Sequence, residues 1–388
     1  MLSARSFFRD PVEYVAAHGD GRGTIRLSAG PARFVLVRDP ALVWRVLVTD
    51  GDSFAPGKWK RRARRFIGPA LNTLDGEEHR RRRLLLQPAF DRRRIASFAP
   101  GIAERSEQAQ AGWTDGAHIR LRDALDPLSL GVAGEVLLSA ELDPALARDL
   151  RRTMAAVPRL RPPLRVTAGG RALARAEAAV QAVVEARRRA PERDDLVGIL
   201  LGSGLPDRTI RGDVIACLHA AVDEPPSALE AVWYLLARHP EADRRLYAEL
   251  ADGGDAYLEA VLLETLRLYP PARHIDRCPV HDVRIGDARL SQGSKVLISP
   301  LVSHADSRIW DRPADFVPER WLGSRVADRG AYVPFGAGAH TCIGEPLSWM
   351  IMKTTLATIA RRWRLHVDSD APPPVPRSPR LVVTLQRR

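Results

Sequence analysis

The sequence predicts a mainly α chain with a minor β region, folded as a single domain over residues 1–388. Three observations carry that prediction. From about 75 to 250 the pattern is mainly helical, whereas short alternating runs cluster near the N-terminus and after residue 271. No linker, internal repeat or shift of composition marks a boundary. The 388 residues are 45% hydrophobic and 27% charged, ample for a large core.

Taken in order, Thr24–Leu27 and Arg33–Val37 alternate around a Gly30-Pro31 turn and read as strands. Asp39-Pro40 opens a helix with Leu42, Val43, Val46 and Leu47 as its apolar stripe. Residues 55–74 read as a loop or broken helix dense in Lys and Arg. Helices follow over 103–111, 143–154 and 172–190. A long one runs from about 208, capped by Asp207, to His239-Pro240. Another covers 257–268 and stops at Pro270-Pro271. Val283–Ile285 and Lys295–Ile298 read as strands, a helix follows Cys342, and a Pro-rich turn at 372–374 leads to a last strand over 380–385.

The N-terminus holds no apolar run long enough for a signal peptide or anchor, and none elsewhere reaches the ~18 residues of a membrane span. A cytoplasmic protein without membrane attachment is therefore expected. Cys217, Cys278 and Cys342 are scattered and odd in number, which suits a reducing compartment and excludes a disulfide scaffold. No C-x-x-C pair suggests structural zinc. Lys+Arg exceeds Asp+Glu by 59 to 47, a net charge of +12. Residues 58–94 alone hold 13 basic and four acidic residues, or +9. Aromatics are not interleaved with these charges and no recognition motif is present, so nucleic acid is a poor partner.

The chemistry is carried by Phe335-Gly336-Ala337-Gly338-Ala339-His340-Thr341-Cys342-Ile343-Gly344. It fits F-x-x-G-x-(H/R)-x-C-x-G, a pattern that would arise by chance in a chain this long on the order of once in ten thousand. The segment resembles the haem-binding loop of the cytochrome P-450 family. The resemblance implies a triangular helical prism with a long central helix over haem b (iron protoporphyrin IX), and the Cys342 thiolate as axial iron ligand. A thiolate in that place pushes electron density towards dioxygen and favours O–O cleavage. Gly338 and Gly344 would permit close backbone approach. Phe335 would shield the sulfur and His340 would bond a haem propionate.

Further segments extend the resemblance from residue 75 to residue 344. Asp75-Gly76-Glu77-Glu78-His79, followed by Arg83, resembles the family's D-G-x-E-H-x-x-x-R helix, in which His79 and Arg83 would hold propionates. Arg277 would be another propionate ligand. In so Arg-rich a chain a given arginine is most often a solvated charge; Arg80, Arg81 and Arg82 are assigned to the surface. Glu264 and Arg267 match the family's E-x-x-R, and Arg320 in Phe316-Val317-Pro318-Glu319-Arg320-Trp321 would complete a structural cluster.

One stretch departs from the family. Its central helix carries (A/G)-G-x-(D/E)-T-(T/S), whose acid and alcohol deliver protons to dioxygen. Here the stretch is Ala220-Ala221-Val222-Asp223-Glu224-Pro225-Pro226-Ser227. Asp223 takes the acid position, Glu224 replaces the alcohol, and two prolines follow. Lacking N–H groups, Pro225 and Pro226 should kink or open the helix and free carbonyls near Ala221 and Val222. Asp223 and Glu224 are the candidate catalytic pair, unless Glu224 turns outward to an arginine. Three chemistries remain open, in this order: monooxygenation of a small organic substrate in natural-product biosynthesis, oxidative coupling or cyclisation without net oxygen insertion, and peroxide-driven turnover. A haem-binding protein that only recruits a partner enzyme is the alternative of another class, and a basic helical protein without haem is a third.

The resemblance further implies a monomer that draws electrons from NAD(P)H through a ferredoxin reductase and a ferredoxin. The 58–94 segment would dock the acidic ferredoxin, or an acidic carrier protein bearing substrate. The family pattern lines the substrate pocket with residues near 55–74, 157–170, the central helix and 271–276. Arg273, His274 and Asp276 would make it polar if they point inward.

Overall fold

The computed structural model describes residues 2–18, 23–29, 32–57, 60, 63–64, 67–156, 168–191, 193–323, 328–368, 370–371, 373 and 381–388. The chain divides into two compact units. One comprises Met1–Arg62, Thr73–Arg80 and Leu263–Cys342; the other comprises Ala63–Asn72, Arg81–Leu262 and Ile343–Arg388.

The first unit is built on a six-stranded mixed sheet. Its strand order is Leu2–Ser3, Thr24–Ala29, Ala32–Val37, Lys295–Ile298, Ile275–Pro279 and Phe54–Pro56. The expected hairpin pairs Ile25 with Leu36 and Leu27 with Phe34, and alternation puts Ile25 and Leu27 in the core while Arg26 faces solvent. Ala32–Val37 then pairs in parallel with Lys295–Ile298, a long-range contact that no local pattern reveals. Ile275–Pro279 is a strand the sequence does not announce; it places Arg277 opposite Val296. Val37, Val43, Leu47, Phe54, Ile298 and Val333 form a core beside the sheet. Asp39 caps the helix Pro40–Trp44 as expected, its Oδ1 accepting from the N–H of Ala41 at 3.0 Å. The helix continues through a π-turn at Arg45–Thr49. Two short helices, Ala4–Arg9 and Pro11–His18, connect its first two strands in the chain, Leu2–Ser3 and Thr24–Ala29, and were not anticipated.

The second unit is helical, with a three-stranded antiparallel sheet in the order Trp363–His366, Val382–Arg387, His118–Arg120. Its helices include Ala99–Ala109, Leu121–Ala133, Ala145–Ala156, Ala168–Arg188, Asp207–Arg238 and Glu345–Ala360. The 32-residue helix Asp207–Arg238 packs against Leu121–Ala133 and Glu345–Ala360. Ile210, Val214, Leu218 and Val222 recur at three- and four-residue spacing and bury into a core with Leu128, Val132 and Ile351. Asp207 does not cap this helix. Pro206 occupies the cap with extended backbone, and Asp207 in the first turn pairs with Arg188. The last strand, expected over 380–385, is Val382–Arg387. The turn expected at 372–374 lies largely outside the described residues. Among the described residues no helix is long and apolar enough to cross a membrane.

The helix does not open at Pro225-Pro226 as one expectation had it: Asp207–Arg238 is one continuous helix. The two prolines cost it two intrahelical bonds, from residues 225 and 226 to the carbonyls of Ala221 and Val222. Both carbonyls are taken up by another helix. Ser129 Oγ donates to the Ala221 oxygen at 2.6 Å, and Arg122 donates to the Val222 oxygen at 3.2 Å.

Candidate functional site

The cysteine loop lies in the first unit and is closed by backbone bonds. Gly336 N–H donates to Val333 at 3.1 Å, Thr341 N–H to Gly338 at 3.0 Å and Cys342 N–H to the Phe335 carbonyl at 2.9 Å. Gly336 and Gly338 both have φ of 72°, in the left-handed region. A Cβ on Gly338 would stand 2.1 Å from the Leu47 carbonyl oxygen. Close approach is thus demanded at Gly338, as expected. Gly344 has a φ of −82°, open to any residue, and Gly336 makes the left-handed turn beside Gly338. Cys342 is half-buried at the end of this turn.

In the same unit, the start of the helix Gly76–Leu86 buries His79, whose ring lies 4.0 Å from that of His340. His340 Nε2 stands 3.7 Å from Asp75 Oδ1. Burial pushes the His340 ring down, Asp75 opposes it, and the charges of Arg277 and Lys60 push it further down. For the Asp75 carboxyl, burial works upward, but the bonds to His340 and to the Gly76 N–H hold it below the usual range. Arg277 is buried on its strand and donates to the Asp276 carbonyl at 3.0 Å, with no ion pair within 4 Å among the described residues. Burial lowers its guanidinium pKa. His79, His340 and Arg277 thus gather donors around Asp75, with Asp276 also acting on Arg277, a set that fits a group bearing carboxylates.

Arg83, expected beside them, lies in the second unit, half-buried, with Nε donating to Gln87 at 3.0 Å. Its neighbour Arg82 was assigned to the surface and is not there. It is buried against Asp213, whose other oxygen accepts from Leu71 N–H at 2.6 Å. Helical phase explains the error: a run of four arginines covers every face of a helix, so one must face inward. Arg80 and Arg81 are exposed as expected, Arg80 pairing with Glu77 at 2.6 Å.

Glu264, Arg267 and Arg320 meet as the motif implies. Glu264 is fully buried and accepts five bonds. Oε1 takes Arg267 at 2.8 Å, Arg320 at 3.0 Å and Val317 N–H at 3.0 Å; Oε2 takes Arg267 Nε at 2.9 Å and Trp321 Nε1 at 2.8 Å. Arg267 also donates to the carbonyls of His304, Pro313 and Asp315. His304 was not foreseen. Its Nδ1 faces the Arg267 carbonyl at 3.1 Å and its Nε2 accepts from Val333 N–H at 3.0 Å. These partners require a neutral ring protonated on Nδ1. Burial drives its pKa down to about 3, with the Arg267 charge pushing the same way. A chain of bonds therefore runs from Glu264 to Val333, two residues before Phe335.

Asp223 and Glu224 lie on the long helix in the second unit. The Asp223 carboxylate is 3.5 Å from Arg122, and Glu224 is half-buried. Arg122, also unforeseen, is buried and ion-pairs with Asp126 at 2.6 Å, with Glu230 at 3.8 Å. Burial raises Glu230 to about 7, an effect that Arg122 offsets only in part.

Of the basic segment, positions 58, 59, 61, 62, 65 and 66 lie outside the described residues, as do positions 157–167 of the expected pocket lining. Arg92 and Arg93 are exposed, but Arg94 turns inward and donates to the Ala89 and Val136 carbonyls. His274 is exposed and edge-on to Phe8, 5.2 Å away, and Asp276 lies so close to Gly57 that a Cβ there would clash.

A family model described as Cytochrome P-450 matches residues 171–388. Cyclooctat-9-en-7-ol 5-monooxygenase of Streptomyces melanosporofaciens is 32% identical over 400 aligned positions, covering 93% of this chain and 86% of that protein. Pentalenene oxygenase of Streptomyces avermitilis is 28% identical, covering 95% and 90%. Among solved structures, retinoic acid-bound cyanobacterial CYP120A1 superposes with a TM-score of 0.86 over 97% of this chain and 96% of that one, at 23% identity. That likeness concerns the fold.

Proposed function

The chain belongs to the cytochrome P-450 family, a monooxygenase with cysteine-ligated haem fed by redox partners, and from that premise we propose that it performs a tailoring oxidation of a small organic molecule in natural-product biosynthesis. Bound in the chain, the haem supplies dioxygen activation. Cys342 would hold its iron, in a loop framed by Phe335, Gly338 and Gly344. His79, Arg277 and His340 would hold the propionates. Glu264, Arg267 and Arg320 stiffen the region that presents the loop. Asp223 and Glu224 occupy the positions that the family pattern gives to its proton-delivering pair, and their carboxyls would take that role.

The observation that carries this reading is the closed Cys342 turn in one unit with buried His79 and Arg277 and half-buried His340. The names of the two Streptomyces relatives favour oxygen insertion over coupling. The match to one solved chain over 97% of the length supports a single domain. Electrons come from NAD(P)H through a ferredoxin reductase and a ferredoxin in the cytoplasm, and the exposed arginines of the 58–94 segment meet the acidic ferredoxin. Raising ionic strength should therefore slow reduction. The reduced carbon-monoxide spectrum tests the core of the proposal. A Soret band at the thiolate position, abolished by Cys342→Ser, is expected; a featureless spectrum of reconstituted protein would overturn it.

A further inference from the structure

The double proline in the long helix ought to open it, yet the helix is intact. Backbone amides at 225 and 226 would have bonded the Ala221 and Val222 oxygens. Two side chains of the helix Leu121–Ala133 reach those same oxygens. Arg122 and Ser129 are seven residues, two turns, apart and so line one face of that helix. Ser129 is buried and spends its hydroxyl proton on Ala221. Arg122 spreads its donors over the stretch 222–227: the Val222 carbonyl, the Asp223 carbonyl at 3.3 Å and Ser227 Oγ at 2.7 Å, while Ser227 in turn donates to the Asp223 carbonyl at 2.6 Å. The same guanidinium faces the Asp223 carboxylate. Each bond deleted by a proline thus has one replacement, and the charged donor sits where the helix carries its carboxylates.

We propose that Ser129 and Arg122 are positioning residues for the Asp223-Glu224 segment, replacing from a second helix the two hydrogen bonds that Pro225 and Pro226 remove and keeping the long helix closed there. This holding role follows from the bonds alone; its effect on the reaction rests on the proton-delivery role proposed above. A buried carbonyl left without a donor favours local opening about tenfold.

The test is a mutant cycle in the full-length holoenzyme, read by hydrogen–deuterium exchange of the peptide spanning 218–229. Ser129→Ala should raise exchange about tenfold there and leave the helices Ala99–Ala109 and Pro240–Ala251 unchanged. Pro225→Ala restores the N–H that reclaims the Ala221 oxygen, so in that background Ser129→Ala should change exchange by less than about twofold. Arg122→Lys keeps the charge but not the fork, and pairs in the same way with Pro226→Ala. Equal effects with and without the proline, or faster exchange everywhere, would overturn the proposal. Peroxide released per electron separates the two readings: local opening without added peroxide supports the holding role and removes the proton-delivery role, whereas unchanged exchange refutes the holding role whatever the peroxide yield.

Discussion

Replacing Glu264 with glutamine keeps its shape and removes its charge. The five donors around it leave no good orientation for the new amide. If the NH2 takes the Oε2 place, it confronts Arg267 Nε and Trp321 Nε1; in the Oε1 place it confronts Arg267, Arg320 and Val317 N–H. At least two bonds to a charged acceptor are lost, each worth about 1.5–3 kcal/mol, for a loss of about 3–6 kcal/mol. The buried Arg267 also loses its bidentate carboxylate, and breaking a buried pair costs about 3–5 kcal/mol. That is a large part of the 5–15 kcal/mol typical of a folded domain. Burial works to raise the Glu264 pKa, but the Arg267 bonds and the other donors outweigh it, so the native value lies below the ordinary 4.5. The native state then binds fewer protons than the unfolded one. The stability is present above pH 4.5 and is lost as pH falls through the native pKa. Urea unfolding followed by tryptophan fluorescence at neutral and acidic pH should show a lower midpoint for Glu264→Gln and no acid limb attributable to this carboxyl. A neutral-pH loss under about 1 kcal/mol would refute the reasoning.

Three other perturbations have definite outcomes. Gly338→Ala must place a Cβ against the Leu47 oxygen at a positive φ, which alone costs about 1–2 kcal/mol; the ratio of Soret to protein absorbance should fall sharply, and an unchanged ratio would contradict the close approach. His304→Phe strands the Val333 N–H and loses the bond to the Arg267 carbonyl, costing about 2–4 kcal/mol, so the variant should release haem faster to an apomyoglobin acceptor at equal temperature. Glu230, raised from 4.5 to about 7, favours folding below pH 4.5 and loses that contribution as pH rises through about 7; the fall is at most about 3 kcal/mol, and Glu230→Gln should show a flatter urea midpoint between pH 5 and 8.

Local signals carried much of this molecule. Asp39-Pro40, the strands at 283–285 and 295–298 and the long helix are all announced by caps, alternation or period, which depend on neighbours a few residues away. Other features escaped because their cause is remote in sequence. The strand Ile275–Pro279 exists through pairing with Lys295–Ile298 and Phe54–Pro56. Arg82 is interior because Asp213, 131 residues away, faces it. His304 carries no motif and is recognised only by the two backbone groups it joins.

The sequence by itself determined the family, the cysteine at the end of its glycine turn and the Glu264-Arg267-Arg320 cluster, because fixed spacing of rare residue types specifies them. It also determined which carbonyls two adjacent prolines would release. Whether the helix then opened was a matter for tertiary structure. Ser129 and Arg122 lie about a hundred residues from those carbonyls along the chain, and only packing of the two helices brings donor to acceptor. Proline removes a bond locally, but the cost of an unpaired carbonyl depends on what else lies within about 3 Å of it.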